Sequence, residues 1–378
     1  MDLNFFVSLS RLAIIKATPL VFGALTGIFN ERSGVINIGI EGMMLIGAFT
    51  AFIGSALVGQ WFPGVFPLYM ILIIGLLCAI ISSALVAFLH AVLSIRYKVD
   101  QVISGTVINL LAVGLTDYVA NVYIDPSHLA GVGVFPEIQI PVLSQLPILG
   151  RILFSHQPMV YLMFVLVFFV QYVLFYTPWG LRLRAVGEHP RAADTMGIDV
   201  IRTRYINVVL GGVLAGLGGA FLVLESVGRF QKQMTAGRGF IALAVMIFGR
   251  WTPINVLGAA LLFGFADALG VRLQFGDLNH LYVLLVFIGL SLVIVGLIQG
   301  LATVIKPQKQ GRIPGYALMF LVLGGVIILI VNFIKLPKVI VPVEFLGLLP
   351  YIMTILVLSG FVRKAIAPAA VGKPYEKE

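Results

Sequence analysis

The chain consists of long apolar runs separated by short stretches that carry charge, proline or glycine. Most runs are far longer than a β-strand and lack period-two alternation, which favours helices. A helix that crosses about 30 Å of hydrocarbon needs about 20 apolar residues, and backbone in lipid must satisfy its own hydrogen bonds. The pattern therefore predicts an all-α, polytopic membrane protein of about 9–11 transmembrane or half-membrane helices. The predicted segments are 12–29, 38–60, 64–95, 101–122, 158–177, 205–227, 239–249, 254–270, 281–302, 315–334 and 345–362.

Two of these segments differ from simple spans. Segment 239–249 is too short to cross the bilayer and is flanked by glycines, so it predicts a half-helix. Segment 38–60 follows a polar, glycine-containing run over 30–42, which predicts a second broken helix. Broken helices persist in lipid where they line a cavity, so the pair predicts a transport path. In 205–227, by contrast, the glycines have small-xxx-small spacing and predict close helix packing.

Composition excludes an ordinary soluble protein. Of 378 residues, 60% are hydrophobic and 11% are charged, against roughly 25% charged in soluble domains. The net charge of +9 lies in short loops, which is typical of the positive-inside rule and not of a nucleic-acid-binding patch. We therefore expect a multi-pass protein of the inner (cytoplasmic) membrane, in contact with lipid and without a nucleic acid partner.

The loop charges also predict the two sides of the membrane. Loops 96–100 and 178–204 are basic and are expected in the cytoplasm, whereas loop 123–157 has few basic residues and is expected outside. The same alternation puts a tail at 363–378 in the cytoplasm. The first helix is expected to be retained, since it lacks a signal-peptidase pattern, and the side of the amino terminus stays open.

Polar residues on helix 101–122 form a one-sided stripe. Gln101, Gly105, Asn109 and Thr116 are spaced by four, four and seven residues, which places them on one helical face. Such a stripe faces the protein interior, where its uncharged groups suit a neutral polar solute. Hydrogen bonding between helices explains the stripe equally well.

Asn37, Glu41 and Phe240 complete the predicted substrate pathway. Asn37 and Glu41 are four residues apart at the first broken helix, and an acid within the membrane indicates function by default. The structural alternative is that Glu41 pairs with a basic residue such as Arg32 or caps backbone amides. Phe240 belongs to the predicted half-helix.

Motifs for catalysis and cofactor binding are absent from the sequence. No G-x-x-x-x-G-K-[ST] phosphate loop occurs, and no Ser/His/Asp set, H-E-x-x-H or paired-carboxylate pattern is found. The single cysteine, Cys78, has no partner for a disulfide or a thiolate–metal site. We therefore expect neither an enzyme nor a metal site, and no cofactor bound by this chain.

Residues 184–200 predict a short cytoplasmic helix between Pro190 and Gly197, because proline is tolerated in a first turn and glycine ends a helix. A short helix beside the membrane suits docking into a groove on a soluble partner. A plain basic loop would satisfy the positive-inside rule equally well.

Four blocks resemble the permease subunits of ABC importers in the branched-chain amino acid, ribose and nucleoside group, and are most similar to the nucleoside branch. The blocks are NERSGVINIGIEGMMLIGAF (30–49), YKVDQVISGTVINLLAVGLT (97–116), LRAVGEHPRAADTMGIDVIRTR (183–204) and TAGRGFIALAVMIFGRWTPINVLGAALLFGFADAL (235–269). The tail 349–378 is also similar. The resemblance implies a type II-like ABC permease fold.

The resemblance also implies partners and a coupling helix. The expected partners are a second homologous permease chain, with a heterodimer favoured, two ATPase subunits that bind ATP and Mg²⁺, and an extracellular substrate-binding lipoprotein. Segment 184–200 is implied to be the coupling helix. Small Ala192 and Ala193 are expected to let it sit in a groove, with Glu188 and Arg191 paired at the rim. The block residues are Gly187, Glu188, Pro190, Ala192, Ala193 and Gly197.

One departure from the family concerns 281–334. Permeases of this branch pass almost directly from the LFGFADAL block to the LPY block, whereas two apolar runs intervene here. We expect a single transmembrane domain over 1–362 in which 281–334 forms an extra, peripheral hairpin.

The sequence thus predicts the permease subunit of an ATP-driven nucleoside importer. Within the class, a ribose-type sugar or a branched-chain amino acid are the rival substrates, although an amino acid needs fixed groups for its carboxylate and ammonium. A stand-alone secondary transporter coupled to an ion at Glu41 is the rival from another class, and a membrane enzyme is third.

Overall fold

The computed structural model describes residues 3–123, 131–274, 285, 315–333, 345, 348 and 366–376. Its regular structure is almost entirely helical, which confirms the predicted all-α class. The helices are α1 (Leu3–Arg32), α2 (Ile40–Trp61), α3 (Leu68–Ala91), α4 (Gln101–Tyr123), α5 (Leu149–Leu153), α6 (Pro158–Tyr176), α7 (Pro178–Glu188), α8 (Pro190–Thr195), α9 (Val200–Phe221), α10 (Arg238–Phe248), α11 (Pro253–Gln274) and α12 (Gly315–Phe333).

Irregular and short elements join these helices. Helices α3 and α9 each end in a π-helical turn, Val92–Arg96 and Leu222–Val227. Strands β1 (Ile138–Gln139) and β2 (Ser155–His156) pair antiparallel in the loop between α4 and α6. Within the described residues, seven helices are long and apolar enough to cross a membrane: α1, α2, α3, α4, α6, α9 and α11. This agrees with the predicted multi-pass protein of the cell membrane.

The chain divides into two compact units. The first comprises Met1–Ala268 with Pro350–Glu378, and the second comprises Leu269–Leu349. In the second unit the structure describes the end of α11, helix α12 and three single residues. Apart from residue 285, the predicted run 281–302 lies outside the described residues, so the extra hairpin stays a prediction.

Helices α1 and α9 form the centre of the first unit, and α9 packs against α1, α2 and α3. Its glycines permit close contact, as the spacing predicted. A Cβ atom at Gly212 would lie 2.3 Å from the Cβ of Ala87, and one at Gly219 would lie 2.0 Å from the carbonyl oxygen of Met44. Because there is no room for a Cβ at these positions, only glycine allows α9 to pack this closely against its neighbours.

The two ends of α1 contact segments that are expected on opposite sides of the membrane. Near its start, Arg11 forms an ion pair with Glu137 in the loop that is expected outside. At its end, the carbonyl of Arg32 contacts Gly187 in the basic segment that is expected in the cytoplasm. With these expected sides, the amino terminus is predicted to lie outside and α1 to run towards the cytoplasm.

Candidate functional site: the broken helices and the coupling segment

Helix α10 is a half-helix of 11 residues, as its length in the sequence predicted. It runs parallel to the last third of α1. A Cβ at Gly23 would lie 2.7 Å from the Cβ of Ala242, and one at Gly27 would lie 2.6 Å from the sulfur of Met246. Beyond α10, the indole Nε1 of Trp251 donates to the carboxylate of Glu31 at 2.6 Å. The N terminus of α10 therefore lies well inside the molecule, away from both ends of α1.

The residues before α2 are not helical, and they lie alongside the first two turns of α4. The backbone N–H of Ile36 donates to Oε1 of Gln101 at 2.7 Å. The Asn109 amide donates to the carbonyl of Ile38 at 3.0 Å and accepts from the N–H of Gly42 at 2.7 Å. Since Gln101 and Asn109 are eight residues apart, α2 begins beside a point about 12 Å along α4 from its first residue. Helix α2 itself is continuous over Ile40–Trp61, so the predicted break within 38–60 is wrong: the irregular backbone lies before the helix, at residues 33–39.

Glu41 joins the start of α2 to the start of the half-helix α10. Its carboxylate oxygens accept from the backbone N–H groups of Gly237, at 2.8 Å, and Gly239, at 2.6 Å. A helix N terminus has unpaired amides and a positive dipole end, so a carboxylate suits it. Arg32 instead donates to the carbonyl of Trp251 at 3.1 Å. Of the structural alternatives for Glu41, the structure has the amide cap and not the Arg32 pair.

A second irregular segment, 228–237, reaches this cap from the outer side. At its start, the carbonyl of Gly228 accepts from the N–H of Val132 at 2.8 Å, and Lys232 contacts Asn121 near the outer end of α4. At its end, Ala236 and Gly237 have φ angles of 47° and 79°. Segments 33–39 and 228–237 therefore approach Glu41 from opposite sides, both beside α4. Non-helical backbone at membrane depth is tolerated where it is buried in protein or lines a cavity.

The other predicted pathway residues occupy different positions. Asn37 is buried beside this junction, and its Oδ1 lacks a hydrogen-bond partner in the described part of the chain. A Cβ at Gly105 would lie 2.8 Å from the backbone nitrogen of Gly39. Phe240 is 48% exposed on α10. Thr116 donates to the carbonyl of Ala112 in its own helix and does not join the cluster.

His90 also belongs to the junction and was not among the predicted pathway residues. Its ring nitrogens lie 3.0 Å from the hydroxyl of Ser104 and 2.9 Å from the carbonyl of Ile36. Sequence reasoning also missed that the partners of the α4 stripe are backbone groups of 36–42. Backbone partners leave no residue-type signal, so only the unusual run of glycine and polar residues indicated this region.

The predicted coupling segment, 184–200, comprises the end of α7, helix α8 and the turn before α9. Pro190 occupies the first turn of α8, and Gly197, with φ of 80°, follows its end. Asp199 caps α9 by accepting from the N–H of Arg202 at 2.9 Å. The predicted short helix between Pro190 and Gly197 is therefore confirmed.

The face of α8 that is exposed differs from the expectation. Ala193 is 4% exposed and packs with Val186 and Val200. Ala192 is exposed, and Met196 is 81% exposed. The expectation that Ala193 faces a docking groove is wrong, because the short helix uses that methyl to pack on its own chain. Met196, an apolar residue in a charged loop, is the signal that sequence reasoning missed.

The remaining coupling residues hold the segment in place. A Cβ at Gly187 would lie 2.1 Å from the carbonyl oxygen of Arg32, so glycine allows α7 to touch the end of α1. The carboxylate of Glu188 accepts from the N–H of Ala369 at 3.1 Å. Over the described ranges, no group of three or more His, Cys, Asp and Glu side chains has the arrangement of a metal site.

Comparison with known proteins places these features in a family context. Residues 11–295 match the family described as branched-chain amino acid transport system / permease component. The guanosine ABC transporter permease protein NupQ of Bacillus subtilis is 36% identical over 366 residues, which cover 96% of this chain and 95% of the relative.

Two further relatives agree with this match. The nucleoside ABC transporter permease protein NupC of Lactococcus lactis subsp. cremoris is 36% identical over 365 residues, covering 96% of this chain and 95% of the relative. The guanosine ABC transporter permease protein NupP of Bacillus subtilis is 30% identical over 257 residues, covering 66% of this chain and 70% of the relative. No solved structure matches this chain.

Proposed function

Because this chain belongs to the permease components of the branched-chain amino acid transport family, we propose that it is the membrane-spanning subunit of an ABC importer that carries nucleosides. The observation that carries the proposal is the 36% identity, over 96% of the chain, to relatives named as guanosine and nucleoside permeases. The chain is a translocation component and not an enzyme. ATP and Mg²⁺ bind to a partner ATPase, and this chain itself holds no cofactor.

The solute path runs beside α4, along segments 33–39 and 228–237. Gln101 and Asn109 hold the backbone of 36–42 there, and among the described residues the buried Oδ1 of Asn37 lacks a partner, which gives a neutral acceptor for a hydroxyl or base N–H group of a nucleoside. A branched-chain amino acid needs a fixed charged group for each end. Both oxygens of Glu41 already accept backbone amides, so an ammonium or a coupling ion would have to displace them.

The exposed face of α8 docks on the ATPase. Ala192 and Met196 form a small apolar patch beside the basic segment, and exposed apolar side chains of this kind anchor interfaces. A second homologous permease completes the membrane part as a heterodimer, in line with two relatives, NupQ and NupP, in one organism. An extracellular binding lipoprotein delivers the solute to the outer side.

Substrate-stimulated ATP hydrolysis tests the substrate assignment. The transporter is purified with its partner subunits and reconstituted with its binding protein. We expect guanosine, adenosine or uridine to stimulate hydrolysis and uptake, while ribose and leucine do not. Stimulation by ribose or leucine alone would assign the chain to a rival substrate, and uptake by this chain without an ATPase would indicate a secondary transporter.

Thiol labelling tests the path. In a Cys78→Ala background, a water-soluble maleimide is expected to label Phe240→Cys rapidly and Gln101→Cys slowly, because Gln101 is 5% exposed. Nucleoside should protect Phe240→Cys. Leu110→Cys, on the 69% exposed outer face of α4, is the lipid-facing control. Labelling of Leu110→Cys but not of Phe240→Cys would refute the path.

Charge placed on α8 tests the docking face. Met196→Asp puts a carboxylate on the exposed patch and is expected to reduce co-purified ATPase at least about 10-fold, as an interface hot spot would. Met196→Leu keeps an apolar side chain of similar size and serves as the matched control. Because the side chain is exposed, folding should not change. Full ATPase recovery and uptake with Met196→Asp would contradict the assignment.

A further inference from the structure

The carboxyl-terminal segment 366–376 lies against the coupling segment. The N–H of Ala370 donates to the carbonyl of Gly187 at 2.9 Å, and the N–H of Ala369 donates to the carboxylate of Glu188. Tyr375 packs against the small cluster under α8 that includes Ala193. Ala370 itself is 4% exposed. The tail is therefore fastened to α7 and α8 by backbone hydrogen bonds and by buried contacts.

The same segment is also fastened to the non-helical residues 33–39. The N–H of Gly372, two residues beyond Ala370, donates to the carbonyl of Gly34 at 3.1 Å. The guanidinium of Arg204, which is 2% exposed, donates to the carbonyl of Lys373 at 3.0 Å. Lys98 forms an ion pair with Glu376. Tail residues 369–372 thus bridge the coupling segment and the start of segment 33–39.

Glycines with left-handed backbone make this bridge possible. Gly34 has φ of 91° and Gly372 has φ of 75°, a region that favours glycine. A Cβ at Gly372 would lie 2.8 Å from Cδ1 of Ile36, whose own N–H is bound by Gln101. The tail therefore packs against Ile36, at which segment 33–39 enters the proposed solute path.

We propose that segment 366–376, called the clasp below, is the mechanical link through which movement of the coupling helix reaches segment 33–39. This inference rests on the proposed docking of α8 on the ATPase. Gly187 also touches the carbonyl of Arg32, but a steric contact resists approach and not separation. The hydrogen bonds of the clasp resist separation, so it transmits a pull as well as a push.

The link has a defined route. From Gly34 the chain continues through Ile36 and Ile38, which are held by Gln101 and Asn109, to Glu41 and the N terminus of α10. A partner changes a conformational equilibrium only through elements that differ between its states. The clasp makes the ends of α7 and of α1 move together, so that ATP-driven displacement of α8 repositions the junction of α2 and α10.

A substitution at Gly372 tests the link in the full chain. Gly372→Val introduces a branched side chain at a left-handed position and against Ile36. The matched control is Gly64→Val in the loop between α2 and α3, at φ of 72° with no atom within 4 Å. In the reconstituted transporter we expect Gly372→Val to keep ATPase co-purification and hydrolysis but to lower uptake per ATP by at least about five-fold. Gly64→Val should keep the wild-type ratio.

Three outcomes would overturn the inference. An unchanged ratio of uptake to ATP hydrolysis with Gly372→Val would show that the clasp transmits nothing. Loss of the ATPase would make the clasp a docking element instead of a link. If Gly372→Val fails to assemble, the chain truncated before Pro368 replaces it, and a wild-type ratio in that variant would likewise contradict the link. In each case Met196→Asp tests the docking of α8 on the ATPase independently. Failure of the docking proposal can therefore be told apart from failure of the clasp as a link.

Discussion

Replacing Glu41 by alanine removes both side-chain acceptors that the N terminus of α10 uses. The amides of Gly237 and Gly239 donate to this carboxylate at 2.8 and 2.6 Å, in a part-buried site. A buried donor left without a partner costs about 1–3 kcal/mol, so two donors cost about 2–6 kcal/mol. Glu41→Gln keeps one acceptor oxygen and turns an NH₂ group towards the other amide, so its loss should be about half as large.

The free energy of unfolding is the quantity to compare. Thermal unfolding of the purified chain in detergent can be followed with a thiol-reactive dye at Cys78, which packs against Gly54 between α2 and α3. At an unfolding entropy of about 2.1 cal/mol/K per residue, the midpoint of a 378-residue chain moves by about 1.3 °C per kcal/mol, so Glu41→Ala should lower it by about 3–8 °C. The matched control is Glu137→Gln, at an exposed ion pair with Arg11 that is worth about 0–1 kcal/mol.

The order of the variants decides the result. The amide cap requires the midpoints to fall in the order wild type, Glu41→Gln, Glu41→Ala, with Glu137→Gln close to wild type. If Glu41→Ala unfolds at the same temperature as Glu137→Gln, the carboxylate does not hold the half-helix, and the argument for a fixed junction fails. Retained stability with lost uptake would instead assign Glu41 to solute or ion binding.

Two further predictions concern packing and pH. Gly219→Ala should destabilise the chain by about 1–3 kcal/mol, since its Cβ would lie 2.0 Å from a carbonyl oxygen of α2, whereas Gly114→Ala, with no atom within 4 Å, should be neutral in the same thermal assay. Burial lowers the pKa of His156 below its usual value near 6.5, so the unfolded chain binds more protons as pH falls and stability should decrease below about pH 6.5. His156→Phe should reduce this pH dependence in unfolding measurements between pH 7.5 and 5.5. A pH profile unchanged by His156→Phe would contradict it.

Much of the fold could be predicted from the sequence because bilayer insertion is governed by local properties. The length of each apolar run and the need for internal hydrogen bonds fix helices at α1, α2, α3, α4, α6, α9 and α11. The shortness of 239–249 and its flanking glycines predicted the half-helix α10. Pro190 and Gly197 predicted the limits of α8 in the same way. Each of these signals lies within a few residues of the feature that it predicts.

The candidate site could be predicted only in part. The sequence singled out Glu41, Gln101 and Asn109, and the structure brings all three to the same junction. The sequence left the partner of Glu41 open. It also predicted that Ala193 faces the ATPase, whereas the structure buries the Ala193 methyl under α8. Periodicity over six residues is too short to tell which side of a helix faces its own chain.

The sequence by itself therefore determined which stretches enter the membrane, where the half-helix lies and which loops are basic. The tertiary structure decided the contact of Arg11 with Glu137, the amide cap at Glu41 and the place of the tail against Gly34 and Gly187. The physical reason is distance along the chain. Glu41 meets an amide 196 residues away, and a backbone donor or acceptor has the same chemistry in every residue except proline, so no local pattern encodes such a pair.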